Sequence, residues 1–198
     1  MVLEKALNGL NVKIIRVGNL MARQSDGMFQ KNYDTNAFLN GIKAIKNLKA
    51  TIPEISEEVV ELSPIDYVAK ATLELAKAPI ECTVFHAVSD KWIPTSDIID
   101  VLNSFGFGIE EVTPEEFREI YEQNMDENIQ GIITADLTID DFAEDDAESE
   151  AVESDDGELV VMDQTIEILK TFGFTWPECD KDYLTRFIKH LIEVKYFD

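Results

Sequence analysis

Few residues of this sequence are of types that carry out chemistry, and their spacing does not assemble a catalytic set. A tyrosine and a lysine four apart on a helix can work together, because the ammonium favours the phenolate while the phenol supplies a proton. Here Tyr67 and Lys70 are three apart and share a helix face, and the apolar residues around Tyr67 favour a packing role. His86 lies in a predicted buried strand and His190 near the end of the last predicted helix, so we interpret them as a satisfied core histidine and a helix-end cation. We therefore predict no catalytic residue in this chain.

The sequence also lacks the features that hold cofactors and metals. A dinucleotide needs a glycine-rich turn between a strand and a helix N-terminus, usually G-x-G-x-x-G. The only comparable cluster, Gly106-Phe107-Gly108, follows a predicted helix instead of opening one, and is interpreted as a turn. Cys82 and Cys179 are far apart and form no C-x-x-C pair, which argues against a disulfide framework and a zinc site. We expect no metal, and no cofactor bound by this chain alone.

Charge narrows the range of partners. The net charge is -23 over 198 residues, which disfavours binding to phosphate backbones or anionic membrane surfaces. Residues 136–158 contain twelve acidic side chains and no lysine or arginine, and lack the ligand alternation and central glycine of an EF-hand loop. We interpret this acidic tract as a mobile surface loop. With neither a secretory signal nor a long apolar run, we expect a cytoplasmic protein that binds no nucleic acid and no membrane.

Strands and helices alternate along the chain, which predicts an α/β fold. Two β-branched runs, 11–17 and 82–88, read as strands of a parallel sheet, and 58–62 and 109–112 as shorter strands. Residues 18–34 read as a long polar loop. Apolar periodicity and capping residues predict the following helices: 2–7, 36–48, 63–77 with Ser63 as its cap, 95–103, 114–123 opened by a capping box at Thr113 and Glu116, 163–172 and 180–194.

We divide the chain into three parts on this basis. Residues 1–130 hold the last sheet strands and a substrate-binding region, 131–162 an acidic and flexible insertion, and 163–198 a C-terminal helical pair joined by a loop containing Phe174 and Trp176. Because the sequence begins within a predicted helix, we expect further polypeptide upstream. The aromatic side chains of the last loop favour pinning the two helices together over lining a ligand groove.

Two runs carry a family resemblance. Val12-Lys13-Ile14-Ile15-Arg16-Val17-Gly18-Asn19-Leu20-Met21, with Gly27 closing the loop, resembles the strand and substrate loop that follow the catalytic helix in extended short-chain dehydrogenases. Leu62-Ser63-Pro64-Ile65-Asp66-Tyr67-Val68-Ala69 resembles that superfamily's Pro-hydrophobic-Asp-x-Val-Ala helix. With the ending Thr171-Phe172-Gly173-Phe174-Thr175-Trp176-Pro177 and the stretch from Tyr183 to Phe197, the chain is similar to the C-terminal portion of the terminal thioester reductase domains of nonribosomal peptide synthetases.

The resemblance implies the C-terminal part of an extended Rossmann-type reductase, with a few parallel strands and a mostly helical substrate-binding lid. Its parent would use NADPH to release a peptidyl or acyl chain from the phosphopantetheine arm of a carrier protein, as aldehyde or alcohol. The glycine-rich loop and the Tyr-x-x-x-Lys helix would lie in an upstream dinucleotide-binding half, so we expect the isolated chain to be inactive. The residues expected to line substrate and cofactor are Gly18, Asn19, Met21, Arg23 and Ser25.

Two other functions remain open from the sequence. One is an extended epimerase or dehydratase that acts on nucleotide sugars, which would share the same loop and the same Pro-Ile-Asp-Tyr helix. The other is a non-catalytic module whose acidic surface docks a protein partner. A purely adhesive module does not require the strand and loop arrangement of residues 11–27, which favours the reductase.

Overall fold

The computed structural model describes residues 2–31, 33–124 and 162–198. The predicted acidic tract at 136–158 lies outside these residues. Within them the helices are α1 (Val2–Leu7), α2 (Ala37–Leu48), α3 (Pro53–Glu57), α4 (Ile65–Leu75), α5 (Thr95–Ser104), α6 (Pro114–Gln123), α7 (Asp163–Thr171) and α8 (Lys181–Glu193), with a 3-10 turn at Tyr33–Thr35. The strands are β1 (Ile14–Val17), β2 (Leu20–Met21), β3 (Ala50–Thr51), β4 (Val59–Glu61), β5 (Ser63–Pro64), β6 (Val84–Ala87), β7 (Trp92–Pro94) and β8 (Glu110–Glu111). The mixture of helices and parallel strand pairs confirms the predicted α/β class.

The longest strand pairing joins the two predicted sheet strands. β1 and β6 run parallel, with Ile14 opposite Val84 and Val17 opposite Ala87. Phe85 and Ala87 of β6 point into a buried cluster, whereas Val17 is 45% and Val84 42% exposed. The two strands thus pair with each other and leave part of their apolar surface uncovered.

The described residues form three further strand pairings, each of two or three residues per strand. β2 with β5 and β3 with β8 are parallel, and β4 with β7 is antiparallel. β2 lies inside the segment 18–34 that the sequence predicted to be wholly loop, and that part of the prediction was wrong. A strand of two residues is too short to produce a periodic pattern, and its partner β5 lies about forty residues further along the chain.

Side chains cap α2, α6 and α8, whereas the cap predicted for α4 is wrong. At α6 the Thr113 hydroxyl accepts from the Glu116 amide while the Glu116 carboxylate accepts from the Thr113 amide, so the predicted capping box is confirmed. The Asn36 side chain caps α2 by accepting from the Leu39 amide, and the Asp180 side chain caps α8 by accepting from the Tyr183 amide. Ser63 does not cap α4, because it belongs to β5 and its hydroxyl donates to Glu61 instead.

Two buried clusters hold the chain together. The larger unites α2, α5, α6 and α8, with Leu39, Ile98, Phe187 and Ile188 among its fully buried side chains. The smaller lies between α4, β6 and α7 and contains Phe174 and Trp176, whose rings meet edge to face at 5.1 Å. α8 therefore shares its core with the first part of the chain. None of the helices in the described ranges is both long and apolar enough to cross a bilayer.

Candidate functional site

The carboxyl ends of β1 and β6 define the edge of the molecule where a site is expected. In open α/β sheets, ligands bind in the crevice beyond the carboxyl ends of parallel strands. The segment that follows β1 here is residues 18–28, termed the substrate loop below after the role predicted for it, and the segment that follows β6 is 88–91. Both segments leave the same edge, because the two strands are parallel and in register.

The five residues predicted to line substrate and cofactor all lie in the substrate loop, but they differ in exposure. Asn19 and Ser25 are exposed, and Gly18 and Arg23 are half-buried. Met21 is only 2% exposed and packs in the larger core cluster. These assignments stay predictions, and within this chain Met21 faces the core.

Glu61, at the end of β4, holds the start of the substrate loop. Its Oε2 accepts from the backbone amide of Asn19 at 2.6 Å, and its Oε1 accepts from the Ser63 hydroxyl. A Cβ at position 18 would collide with this carboxylate, so glycine is needed there for the close approach. Sequence reasoning missed Glu61, which is 42 residues from Asn19 in the chain.

Asp66, in the first turn of α4, holds the middle of the substrate loop. Its two carboxylate oxygens accept from the amides of Gln24 at 2.9 Å and Ser25 at 3.2 Å. Asp66 belongs to the Pro-hydrophobic-Asp-x-Val-Ala run, and the sequence alone assigns it no role. Its contacts supply one: it orients backbone amides of the substrate loop.

Arg23, expected to line substrate and cofactor, is bound within the loop itself. Its Nε and Nη2 donate to the two carboxylate oxygens of Asp26 at 3.0 and 2.6 Å, and Nη2 also lies 2.8 Å from the Met28 sulfur. The Met28 amide and then the Arg23 guanidinium hold the pKa of Asp26 below its usual range. A substrate would have to compete with Asp26 for this guanidinium.

Helix α8 packs against the substrate loop and donates two hydrogen bonds to it. The Tyr183 hydroxyl donates to the Ala22 carbonyl at 3.0 Å, and Arg186 Nη2 donates to the Gln24 carbonyl at 3.0 Å. Gly27, at φ 74°, lies against Arg186 so closely that a Cβ would come within 2.5 Å of its backbone. Burial raises the pKa of the Tyr183 phenol, which keeps it a neutral donor.

Cys179, two residues before α8, is also buried. The Cys179 thiol lies 3.6 Å from the Leu62 carbonyl and is 2% exposed. Burial, followed by the nearby Glu61 carboxylate, raises its pKa to about 12. Cys179 is therefore a packed thiol and not a nucleophile.

The other residues whose side chains were considered for catalysis lie outside the substrate loop. Lys70 places its ammonium 4.0 Å from the centre of the Tyr67 ring, and that ring packs on Phe174, which agrees with the predicted packing role of Tyr67. The interpretation of His86 as a satisfied core histidine was wrong in one respect: among the described residues its buried Nδ1 has no hydrogen-bond partner. His190 is half-buried near the end of α8.

A cavity of about 360 Å³ lies next to the 88–91 segment, between α7 and the turn before α8. Its walls include Lys91, Lys170, Phe174, Trp176 and Glu178. Lys91 and Glu178 lie 3.3 Å apart across it, and the Glu178 carbonyl accepts from the Gln24 side chain. The aromatic pair thus serves both the smaller core cluster and a cavity wall.

Comparison with solved structures finds reductase domains that are similar to this chain. A thiolation-reductase di-domain from an archaeal nonribosomal peptide synthetase superposes with a TM-score of 0.87 and 54% identity, over 100% of this chain and 39% of that one. The chain matches the C-terminal portion of a nonribosomal peptide synthetase reductase domain. The resemblance inferred from its sequence is thereby confirmed.

More distant structures share the fold of this reductase-domain portion. The terminal reductase domain of the myxalamid pathway matches with a TM-score of 0.72 and 16% identity, covering 98% of this chain and 46% of that one. The reductase domain of the aureusimine cluster matches with a TM-score of 0.72 and 23% identity, covering 98% and 48%. No protein-family model and no curated sequence matches the chain. The portion spans less than half the length of each of these structures.

Proposed function

We propose that this chain is the substrate-side and carrier-side portion of an NADPH-dependent thioester reductase that releases a carrier-bound peptidyl or acyl chain. The observation that carries the proposal is the 54% identity, over the whole chain, to a reductase joined to a thiolation domain. In this function NADPH would supply a hydride to the thioester carbonyl carbon, and cleavage of the C–S bond with uptake of one proton would give an aldehyde and the free thiol of the arm. A second hydride yields the alcohol. We place the reaction in a reducing compartment such as the cytoplasm, because Cys82 and Cys179 are both free thiols.

We expect the dinucleotide to be bound by the upstream half and not by this chain. In the described ranges, neither β1 nor β6 is followed by a glycine-rich turn that opens a helix and could hold a pyrophosphate. We assign the chain's own residues a shaping role. The substrate loop is hydrogen-bonded to Glu61, Asp66 and α8, and it would present Asn19 and Ser25 to the reacting thioester.

The open edge of β1 supports an upstream half as partner. The Ile14 amide donates to the Thr83 carbonyl, so alternation along the strand turns the peptide groups of Ile15 and Val17 outward. Within the described part of the chain, these outward groups have no hydrogen-bond partner. The outer edge of β6 differs, because the His86 amide donates to the Thr165 hydroxyl of α7 at 3.1 Å. We assign the outer edge of β1 to a strand of the dinucleotide-binding half.

The decisive experiment supplies that half. The 198-residue chain, combined with an upstream reductase half in trans or by fusion, is assayed for NADPH oxidation with an acyl chain on a phosphopantetheinylated carrier. We expect oxidation that depends on both halves and on the thioester. A correctly folded combination that never oxidises NADPH would count against the function. Turnover of nucleotide sugars without thioester reduction would favour the epimerase alternative.

A further inference from the structure

Glu61 stands at the centre of a hydrogen-bonded relay that links both carboxyl-end segments. Ser89, in the segment after β6, donates its amide to the Ser63 Oγ at 2.9 Å. The Ser63 hydroxyl donates to one oxygen of Glu61, and the other oxygen accepts from the Asn19 amide after β1. A single carboxylate therefore connects two loops that share no backbone pairing of their own.

The surroundings of this relay fix its geometry. Ser63 and Ser89 are both 0% exposed, so their hydroxyls have no route to solvent as an alternative partner. Gly18 leaves the space in which the Glu61 carboxylate reaches the Asn19 amide, since a side chain at position 18 would occupy it. β5 holds Ser63 in place through its parallel pairing with Leu20 and Met21.

We infer that Glu61 is a positioning residue of the proposed reductase: its carboxylate sets the distance between the substrate loop and the 88–91 segment, and so the orientation of Asn19 at the reacting edge. This inference rests on the proposed function only for its catalytic consequence. The structural consequence belongs to the chain alone. Asp66 is the natural comparison, because it holds the Gln24 and Ser25 amides of the same loop and does not contact the relay.

The first test is residue-resolved amide hydrogen exchange on the 198-residue chain. In E61Q the side chain keeps its size but loses its charge, and because the Ser63 hydroxyl can accept from the new amide nitrogen, the Asn19 amide is left with a neutral and weaker acceptor. We expect exchange at Asn19 to accelerate at least tenfold, with Gln24 and Ser25 unchanged. D66N should do the reverse, accelerating Gln24 and Ser25 while Asn19 keeps its rate.

Gly18→Ala provides a second route that leaves Glu61 itself intact. The added methyl group displaces the carboxylate, so exchange at Asn19 should accelerate as it does in E61Q. If E61Q and G18A both leave Asn19 exchange at the wild-type rate while the chain stays folded, the relay does not hold the loop and the inference fails. Uniform acceleration across α2 and α8 would show a general loss of stability, which also contradicts it.

The catalytic consequence is measured in the enzyme assembled with its upstream half. With an acyl-carrier thioester, E61Q should lower kcat at least tenfold while the KM for NADPH stays within about twofold, because a misplaced loop costs orientation and not dinucleotide binding. An unchanged kcat overturns the positioning role. If wild-type enzyme shows no thioester-dependent oxidation, the proposed function fails, and the exchange result still decides whether Glu61 holds the loop.

Discussion

Two regions of the molecule differ in how much of their apolar surface and how many of their backbone groups are covered. One is the body built from helices α2, α5 and α8, and the other is the parallel strand pair β1–β6. The body buries Leu39, Ile98 and Phe187 to 2% exposure or less, and the side chains of Asn36 and Asp180 cap α2 and α8. The strand pair leaves Val17 and Val84 more than 40% exposed and the outer peptide groups of β1 unpaired within the described residues. The body is packed by residues of this chain, whereas we assign the open edge of the pair to a strand of the upstream half.

The largest expected effect lies in the body. Phe187 is 2% exposed and packs against the Phe29 ring at 5.7 Å. Phe187→Ala should lower the free energy of unfolding by about 3–5 kcal/mol through lost burial and a residual cavity. Chemical denaturation of the 198-residue chain measures this, with V84A at the exposed strand as control. A loss at Phe187 no larger than at Val84 would erase the contrast between the two regions.

The pH dependence of stability probes the junction between the body and the substrate loop. The Cys179 pKa is raised from 9.0 to about 12 by burial, so the folded state retains a proton that the unfolded state releases. The stabilising contribution is complete below pH 9.0 and is lost as pH rises toward 12. The stability of the wild type relative to C179A should fall by on the order of 2 kcal/mol between about pH 9 and pH 11. Parallel curves for the two proteins would show that the thiol is not enclosed.

The contact between α8 and the substrate loop sharpens the comparison further. Tyr183→Phe removes the donor to the Ala22 carbonyl and leaves that carbonyl unsatisfied in a buried position. We expect a loss of about 1–3 kcal/mol in unfolding free energy, with faster amide exchange in residues 22–28. A variant that loses stability without faster loop exchange would show that the hydroxyl serves the core alone.

A smaller and more local effect is expected at α6, on the rim of the body. Thr113→Ala removes one half of the capping box and should cost about 1 kcal/mol. E116Q is the matched control, because a glutamine at that position still accepts from the Thr113 amide. A loss in E116Q as large as that in T113A would assign the stabilisation to charge and not to the cap.

The sequence predicted those features that depend on neighbours in the chain. The capping box at Thr113 follows from residues three apart, and the strands around Ile14 and Val84 follow from local β-branched composition. The positions of Gly18, Asn19 and Arg23 in one loop were also predictable, whereas the burial of Met21 was not.

The supports of the loop were not predictable in the same way. Glu61 and Asp66 act on amides about forty residues away, and α8 reaches the loop across most of the chain. No periodicity or spacing encodes such contacts, because they arise only when the elements pack. Ser63 shows the difference at one residue: the local pattern favours a helix cap, and tertiary packing gives its hydroxyl to Glu61.

The most direct test of the account compares two prolines one residue apart in β1. Val17→Pro removes an outward amide that the described chain leaves without a partner, whereas Arg16→Pro removes an amide directed toward β6. With the upstream half present, V17P should abolish thioester-dependent NADPH oxidation while the isolated chain unfolds within about 1 kcal/mol of wild type, and R16P should destabilise the isolated chain itself. Full oxidation activity in V17P would contradict the assignment of the β1 edge as the junction.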